Sequence, residues 1–157
     1  MSIDSIAETV GKIGTAIGRG IIAGAAGTAA ITLSQTIEMK IEDRQPSSAP
    51  ADAASKALDI QPATPEDKQK FSQEVHWTYG SLWGVTRGIL SLCGIKGWTA
   101  TAIHWAAITG TEMIMEPSLG VAKPVSQWST KQIVLSSMHH AVYAVAAGLV
   151  FDAIDED

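Results

Sequence analysis

Apolar positions fall into long runs separated by two polar stretches. Between residues 2 and 18, Ile3, Ile6, Val10, Ile13 and Ile17 recur at spacings of three and four, the pattern of an amphipathic helix. Gly20 to Ile37 and Gln132 to Phe151 contain no Asp, Glu, Lys or Arg, and each approaches the roughly 20 apolar residues that cross a bilayer. Thr64-Pro65-Glu66-Asp67 reads as a helix start: a hydroxyl N-cap, proline at the first position and acids in the first turn. From there a helix meets no breaker through His76 to about Leu92. Gly94-Ile95-Lys96-Gly97 is a tight connection, predicting an antiparallel hairpin with a third helix over Trp98 to Met115. The Glu116-Pro117 step ends that helix in this reading. All prolines lie within Pro46 to Pro65 or Pro117 to Pro124, so the predicted spans are free of them.

The expected fold is therefore all-α. It is a four-helix transmembrane bundle forming one domain over residues 1–157, with spans near 19–39, 74–94, 98–116 and 131–152. The polar loop 40–73 carries a short helix of its own near Ala51 to Leu58. The N-terminal amphipathic helix either lies in the membrane interface before the chain turns into the first span or is a soluble surface helix. Trp77, Trp98, Trp105 and Trp128 fall near predicted helix ends, where interfacial tryptophans belong.

An internal echo sharpens this picture. Val75 to Gly88 returns in degraded form at Met138 to Asp152, with His76, Tyr79 and Gly84 spaced like His140, Tyr143 and Gly148. The rows His76-Gly80-Gly84-Gly88 and His140-Ala144-Gly148-Asp152 step by four residues, so each lies along one helix face. Small residues in such rows let helix backbones approach closely, which marks Gly80, Gly84, Gly88 and Gly148 as packing positions. Ala29-Ala30-Ile31-Thr32 also recurs as Ala106-Ala107-Ile108-Thr109. Together the echoes predict two tandem helix hairpins whose halves run parallel, about an axis along the membrane normal.

Charge and composition narrow the function classes. A net charge of −5 argues against nucleic acid as a partner, because phosphate binding needs a basic face. Cys93 is the only cysteine, which leaves neither an intrachain disulfide nor a thiolate metal cluster. Asp4 and Glu8 precede any apolar run, unlike the basic start of a cleavable signal peptide. No Walker loop, nucleophile elbow or HExxH motif is present, so the reading leans away from an enzyme. Lys40, Arg44, Lys56, Lys68, Lys70, Lys123 and Lys131 outnumber Lys12, Arg19, Arg87 and Lys96, which places the two polar loops on the cytoplasmic side.

Ionisable residues inside predicted spans are the candidate chemistry, since a charge at the bilayer centre normally faces protein or water. Glu38, His76, Glu112 and His140 fall near one end of the bundle at similar depth, with Glu116 as a substitute for Glu112. Two Glu and two His from four helices could ligate a divalent metal such as Zn, Fe or Mn. Without a metal the same set could relay protons. No helix supplies a Glu-x-x-His pair, and headgroup-level hydrogen bonding is the plain alternative. Arg87 and Asp152 share a depth nearer the other end, on helices running the same way, and form a candidate intramembrane ion pair.

Arg-Gly-x2-Ala-Gly-x2-Gly-Thr-Ala (Arg19 to Ala29), His-x2-Tyr-Gly in the second helix, and a Pro124/Trp128 loop before a final His-x2-Tyr helix resemble a known group. They are similar to small, uncharacterised bacterial integral membrane proteins with four predicted helices. The resemblance implies membrane location, in a bacterial inner membrane, and four helices; it carries no activity or site residues. The lipid bilayer is the expected partner, with other membrane subunits or further copies of the chain. Three functions stay open: a structural or assembly subunit of a membrane complex, a proton or divalent-metal transporter or channel using the Glu/His layer, and a haem- or chlorin-binding protein ligated by His76, His104 or His140.

Overall fold

In the computed structural model, residues 3–155 are described, and they form five α-helices with one short 3-10 turn and no strand among the described residues. α1 spans Ile3–Ile41, α2 Ala49–Leu58, α3 Pro65–Leu92, α4 Gly97–Ser118 and α5 Thr130–Ile154; the 3-10 turn is Val125–Gln127.

α1 is a single helix of 39 residues, about 58 Å long at the helical rise per residue. This corrects the expectation of a separate amphipathic helix that turns into the first span (Ser2, its expected start, lies outside the described residues). No proline interrupts Ile17-Gly18-Arg19-Gly20, and glycine costs a helix only about 1 kcal/mol. The helix therefore runs on, and from Asp4 to Thr15 nearly every residue is exposed.

α3 starts where Thr64 caps it: the Asp67 N–H donates to Thr64 Oγ1 at 3.1 Å, with Pro65 in the first turn. It ends at a turn in which Gly94 and Gly97 both take positive φ, 76° and 59°, a region that strains any residue with a Cβ. α4 continues through Pro117, contrary to the expected stop. Its end comes at Gly120, with φ 65° and its N–H donating to the Pro117 carbonyl at 3.0 Å. α5 opens on a capping box in which Ser129 and Gln132 satisfy each other's backbone N–H groups.

α1 is the central element, packed along α3 on one side and α5 on the other; α5 also packs on α4, while α3 and α4 touch only lightly. The α1–α3 seam is a backbone contact. A Cβ on Gly20 would sit 2.6 Å from the Gly84 carbonyl oxygen, and one on Gly88 would collide with the Ala16 backbone. Gly80 faces Thr28, and Gly148 of α5 meets Thr101 of α4. These pairings make α1 antiparallel to α3, and the Gly148–Thr101 contact with the Trp105 bond to the Ser137 carbonyl makes α4 antiparallel to α5. Contacts of Gly80 with Tyr143 and of Ser91 with Asp155 make α3 and α5 parallel. The apolar core is thin: Ala23, Ile31, Ile108, Tyr143, Ala144, Ala147 and Phe151.

Two helices, α1 and α5, are long and apolar enough to cross a membrane, rather than the four expected. α3 spends its first turns on charged residues, and α4 carries His104, Glu112 and several threonines, which dilute both windows.

Candidate functional site

The bundle is open between α3 and α4 at the end near the long loops, and the opening forms a cavity of about 360 Å3. Its floor is Thr28 and Ile31 of α1 with Tyr143 of α5; its walls include Val75 and Trp83 of α3 and Ile108 and Met115 of α4. α2 roofs it with Ala53, Ala54, Ala57 and Leu58.

Two polar ties hold the roof. Lys68 of α3 pairs with Asp52 at 2.8 Å, and Lys56 donates to the carbonyls of Leu119 and Gly120 at 2.9 and 3.0 Å, past the end of α4. The bonds from Lys68 and Ser48 hold the Asp52 carboxyl below the usual aspartate range. The roof is thus a short helix pinned at both flanks.

Polar side chains enter the cavity from three helices. His76 Nε2 lies 2.8 Å from Thr32 Oγ1, and the Thr32 hydroxyl donates to the Thr28 carbonyl at 2.7 Å. A hydroxyl has one proton, so His76 donates through Nε2 and keeps Nδ1 as an acceptor. Glu112 accepts a hydrogen bond from Ser136, and His140 Nδ1 stands 3.5 Å from it. Glu116 lies one turn beyond Glu112 and also borders the cavity. Tyr143 donates its hydroxyl to the Gly80 carbonyl at 2.6 Å, tying α5 to α3 beneath them. Glu112, Glu116 and His140 also border a neighbouring polar groove, so they stand on the partition between an apolar chamber and a wet surface.

Of the residues singled out in the sequence, His76, Glu112, Glu116 and His140 line this one cavity, and Glu38 does not. Glu38 turns into the groove and takes both Nε and Nη2 of Arg44, at 3.2 and 2.6 Å. Its neighbour across the bundle is His139, whose Nδ1 lies 2.9 Å from Ser34 Oγ. The expected metal-ligating set is therefore corrected: among the described residues no three His, Cys, Asp or Glu side chains come together to hold an ion. Arg44 occupies Glu38 and Thr32 holds Nε2 of His76, and the set does not assemble. His104 is fully buried and donates through Nε2 to the Trp83 carbonyl at 2.9 Å, serving the α3–α4 contact.

A polar cluster closes the opposite end. Arg87, fully buried, donates to Asp152, lies over the Phe151 ring at 5.1 Å and reaches the Ile95 carbonyl at 3.4 Å. Asp155 accepts from Arg19 and from Ser91, each at 2.7 Å, with Lys96 at 3.9 Å. Burial pushes the Asp155 carboxyl up, but the Ser91 and Arg19 bonds and nearby Lys96 outweigh it and hold it below the usual aspartate range.

Sequence reasoning missed His139, Asp155 and the roofing role of α2. No family model, curated protein or solved structure matches the chain. The resemblance seen in Arg19 to Ala29 stands on its residues alone.

Proposed function

We propose that this chain is an integral membrane protein whose four long helices cross the bilayer and whose cavity beneath α2 binds a small, mostly apolar molecule. One observation carries the membrane reading: polarity is inverted. The largest fully buried side chains are Arg87, Phe151, His104 and Thr28. Leu33, Leu82, Ile114 and Leu149, one from each long helix, are 62%, 54%, 70% and 59% exposed. Chains folded in water seldom bury Arg fully, and apolar surface spread over every outer face marks contact with lipid or a partner. On this reading α3 and α4 span despite their lower hydropathy, because Arg87 and His104 point inward to protein, as polar residues in a bilayer must.

The same reading takes the halves as tandem hairpins. The register that lays Ala29-Ala30-Ile31-Thr32 on Ala106-Ala107-Ile108-Thr109 lays Gly24 on Thr101. The register that lays His76 on His140 lays Gly84 on Gly148. Gly24 meets Gly84, and Thr101 meets Gly148, so equivalent positions make the two seams.

Binding of a ligand is supported by the cavity, whose size suits a small molecule and whose walls are apolar with a few converging polar groups. An assembly role has its own support: at Gly11, Gly14 and Gly18 no atom lies near an added Cβ, so this arm of α1 has a face open to another subunit.

Alkaline carbonate extraction of membranes expressing the chain tests the membrane reading. The intact protein is expected in the pellet. Its release into the supernatant would leave a water-soluble bundle as the better account.

A further inference from the structure

We propose that the cavity beneath α2 selects an organic cation: a small molecule with an apolar body and a protonated amine, received by Glu116 and Glu112. This rests on reading the cavity as a ligand site.

The charge is set by α4. Glu112 and Glu116 are four residues apart, so they share a face and repel, and both border the cavity. They stand in the last two turns of α4, and no basic residue occupies the last turn. Glu112 has Ser136 and His140 beside it. The Glu116 side chain receives no hydrogen bond or ion pair among the described residues.

Nearby cations do not answer that charge. Lys56 is bound to the Leu119 and Gly120 carbonyls. Across the groove Arg44 is held by Glu38 and Lys131 by Glu42, and Lys123 borders the groove without an ion pair to either acid.

The rest of the chamber sets the body of the ligand. Ile31, Leu58, Val75, Ile108 and Met115 offer an apolar lining, and Tyr79 and Trp83 add aromatic rings, whose faces attract cations. An anion would meet two carboxylates. A neutral molecule that displaced water would leave the Glu116 carboxylate uncompensated or make it take up a proton, a cost that a cation avoids. A bare metal ion finds too few ligands. An amine on an apolar body answers both the charge and the lining.

Calorimetric titration of the full chain in lipid nanodiscs separates these cases, with protein-free nanodiscs as blank. The probes share one ring system: naphthylmethylammonium, naphthalenemethanol and naphthoate. The ammonium is expected to bind about tenfold or more tighter than the alcohol, as a charge-assisted contact allows, with naphthoate weakest. Glu116→Gln is expected to bring the ammonium down to the alcohol's affinity and leave the alcohol unchanged. If that variant loses the alcohol too, Glu116→Asp decides, since it keeps the charge and must keep the ammonium preference. Equal affinity for ammonium and alcohol, or an ammonium preference untouched by Glu116→Gln, overturns cation selection and leaves the cavity a ligand site. No binding by any of the three probes overturns the cavity reading as well.

Discussion

Gly84→Ala puts the α1–α3 seam to a quantitative test. Gly84 is buried, and a Cβ there would press on the Gly20 carbonyl oxygen and lie 2.6 Å from Gly24 Cα. Ordinary van der Waals contact at a Cβ is 3.4–4 Å. Both obstacles are backbone in mid-helix, so neither can swing aside, and the helices must part by roughly an ångström to restore contact distance. Overpacking of this kind costs about 1–3 kcal/mol. Alanine's better helix propensity offsets about 1 kcal/mol of that. The seam is continuous through Gly20, Gly24, Gly80 and Gly88, so parting it at one point loosens its neighbours, and a net loss of about 1–2 kcal/mol is expected. Gly14→Ala in α1 supplies the contrast: no atom lies within 4 Å of its Cβ, so only the propensity gain remains, between zero and about 1 kcal/mol. Denaturant unfolding in mild-detergent micelles, followed by far-ultraviolet circular dichroism, measures both. Opposite signs are expected. Gly84→Ala matching or exceeding wild-type stability would refute a backbone-to-backbone seam.

Two further outcomes follow from the polar cluster at the other end. Reversing Arg87 alone is expected to cost about 3–5 kcal/mol, since it breaks a buried pair. Reversing Asp152 alone should also destabilise, because it leaves the fully buried Arg87 guanidinium without its carboxylate. The double reversal should recover part of the loss, but not the contacts with Phe151 and the Ile95 carbonyl; no recovery in the same unfolding assay would mean the pair contributes nothing. Asp155 has a lowered carboxyl pKa, so its stabilisation is present above the ordinary aspartate value of 3.8 and is lost as pH falls through the folded-state value. Unfolding midpoints from neutral pH down to about 3 should therefore fall more steeply for wild type than for Asp155→Asn, and parallel curves would contradict the assignment.

Much of the fold was legible because it depends on local chemistry. Thr64 and Pro65 announce α3, and Gly94 and Gly97 announce the turn before α4, whatever the rest of the chain does. Ser129 and Gln132 carry an equally local signal, a capping box, that charge-free runs do not reveal. Other features depended on tertiary context. The amphipathic segment was expected to end before the first span, but the chain stays helical through Gly20, which lies against the α3 backbone. Pro117 stays helical because it falls in the final turn, where its missing N–H removes one bond and Gly120 closes the end.

The site was legible in depth but not in direction. Four-residue stepping placed Glu38, His76, Glu112 and His140 near one end of the bundle. Whether side chains meet depends on rotation about each helix axis and on nearer partners. Arg44, six residues after Glu38, takes that carboxylate outward. His139 and His140 are adjacent and so point about 100° apart around α5. The first reaches Ser34 of α1, and the second borders the chamber with Glu112.

The cavity itself follows from where the small residues are placed. Gly20, Gly24, Gly84 and Gly88 draw α1 against α3, and Gly148 draws α5 against α4, so each hairpin closes tightly on itself. No comparable row joins α3 to α4. These two are held at the Gly94–Gly97 turn and again where His104 donates to the Trp83 carbonyl, and beyond that level they separate. The gap widens toward the long loop, which supplies α2 to cover it through Lys56 and Lys68. Small residues that tighten each hairpin thus leave the space between α3 and α4 unfilled. Filling it with larger side chains would have been simple at Ala53, Ala54 and Ala57, which face the chamber. Alanines at all three roof positions keep it open.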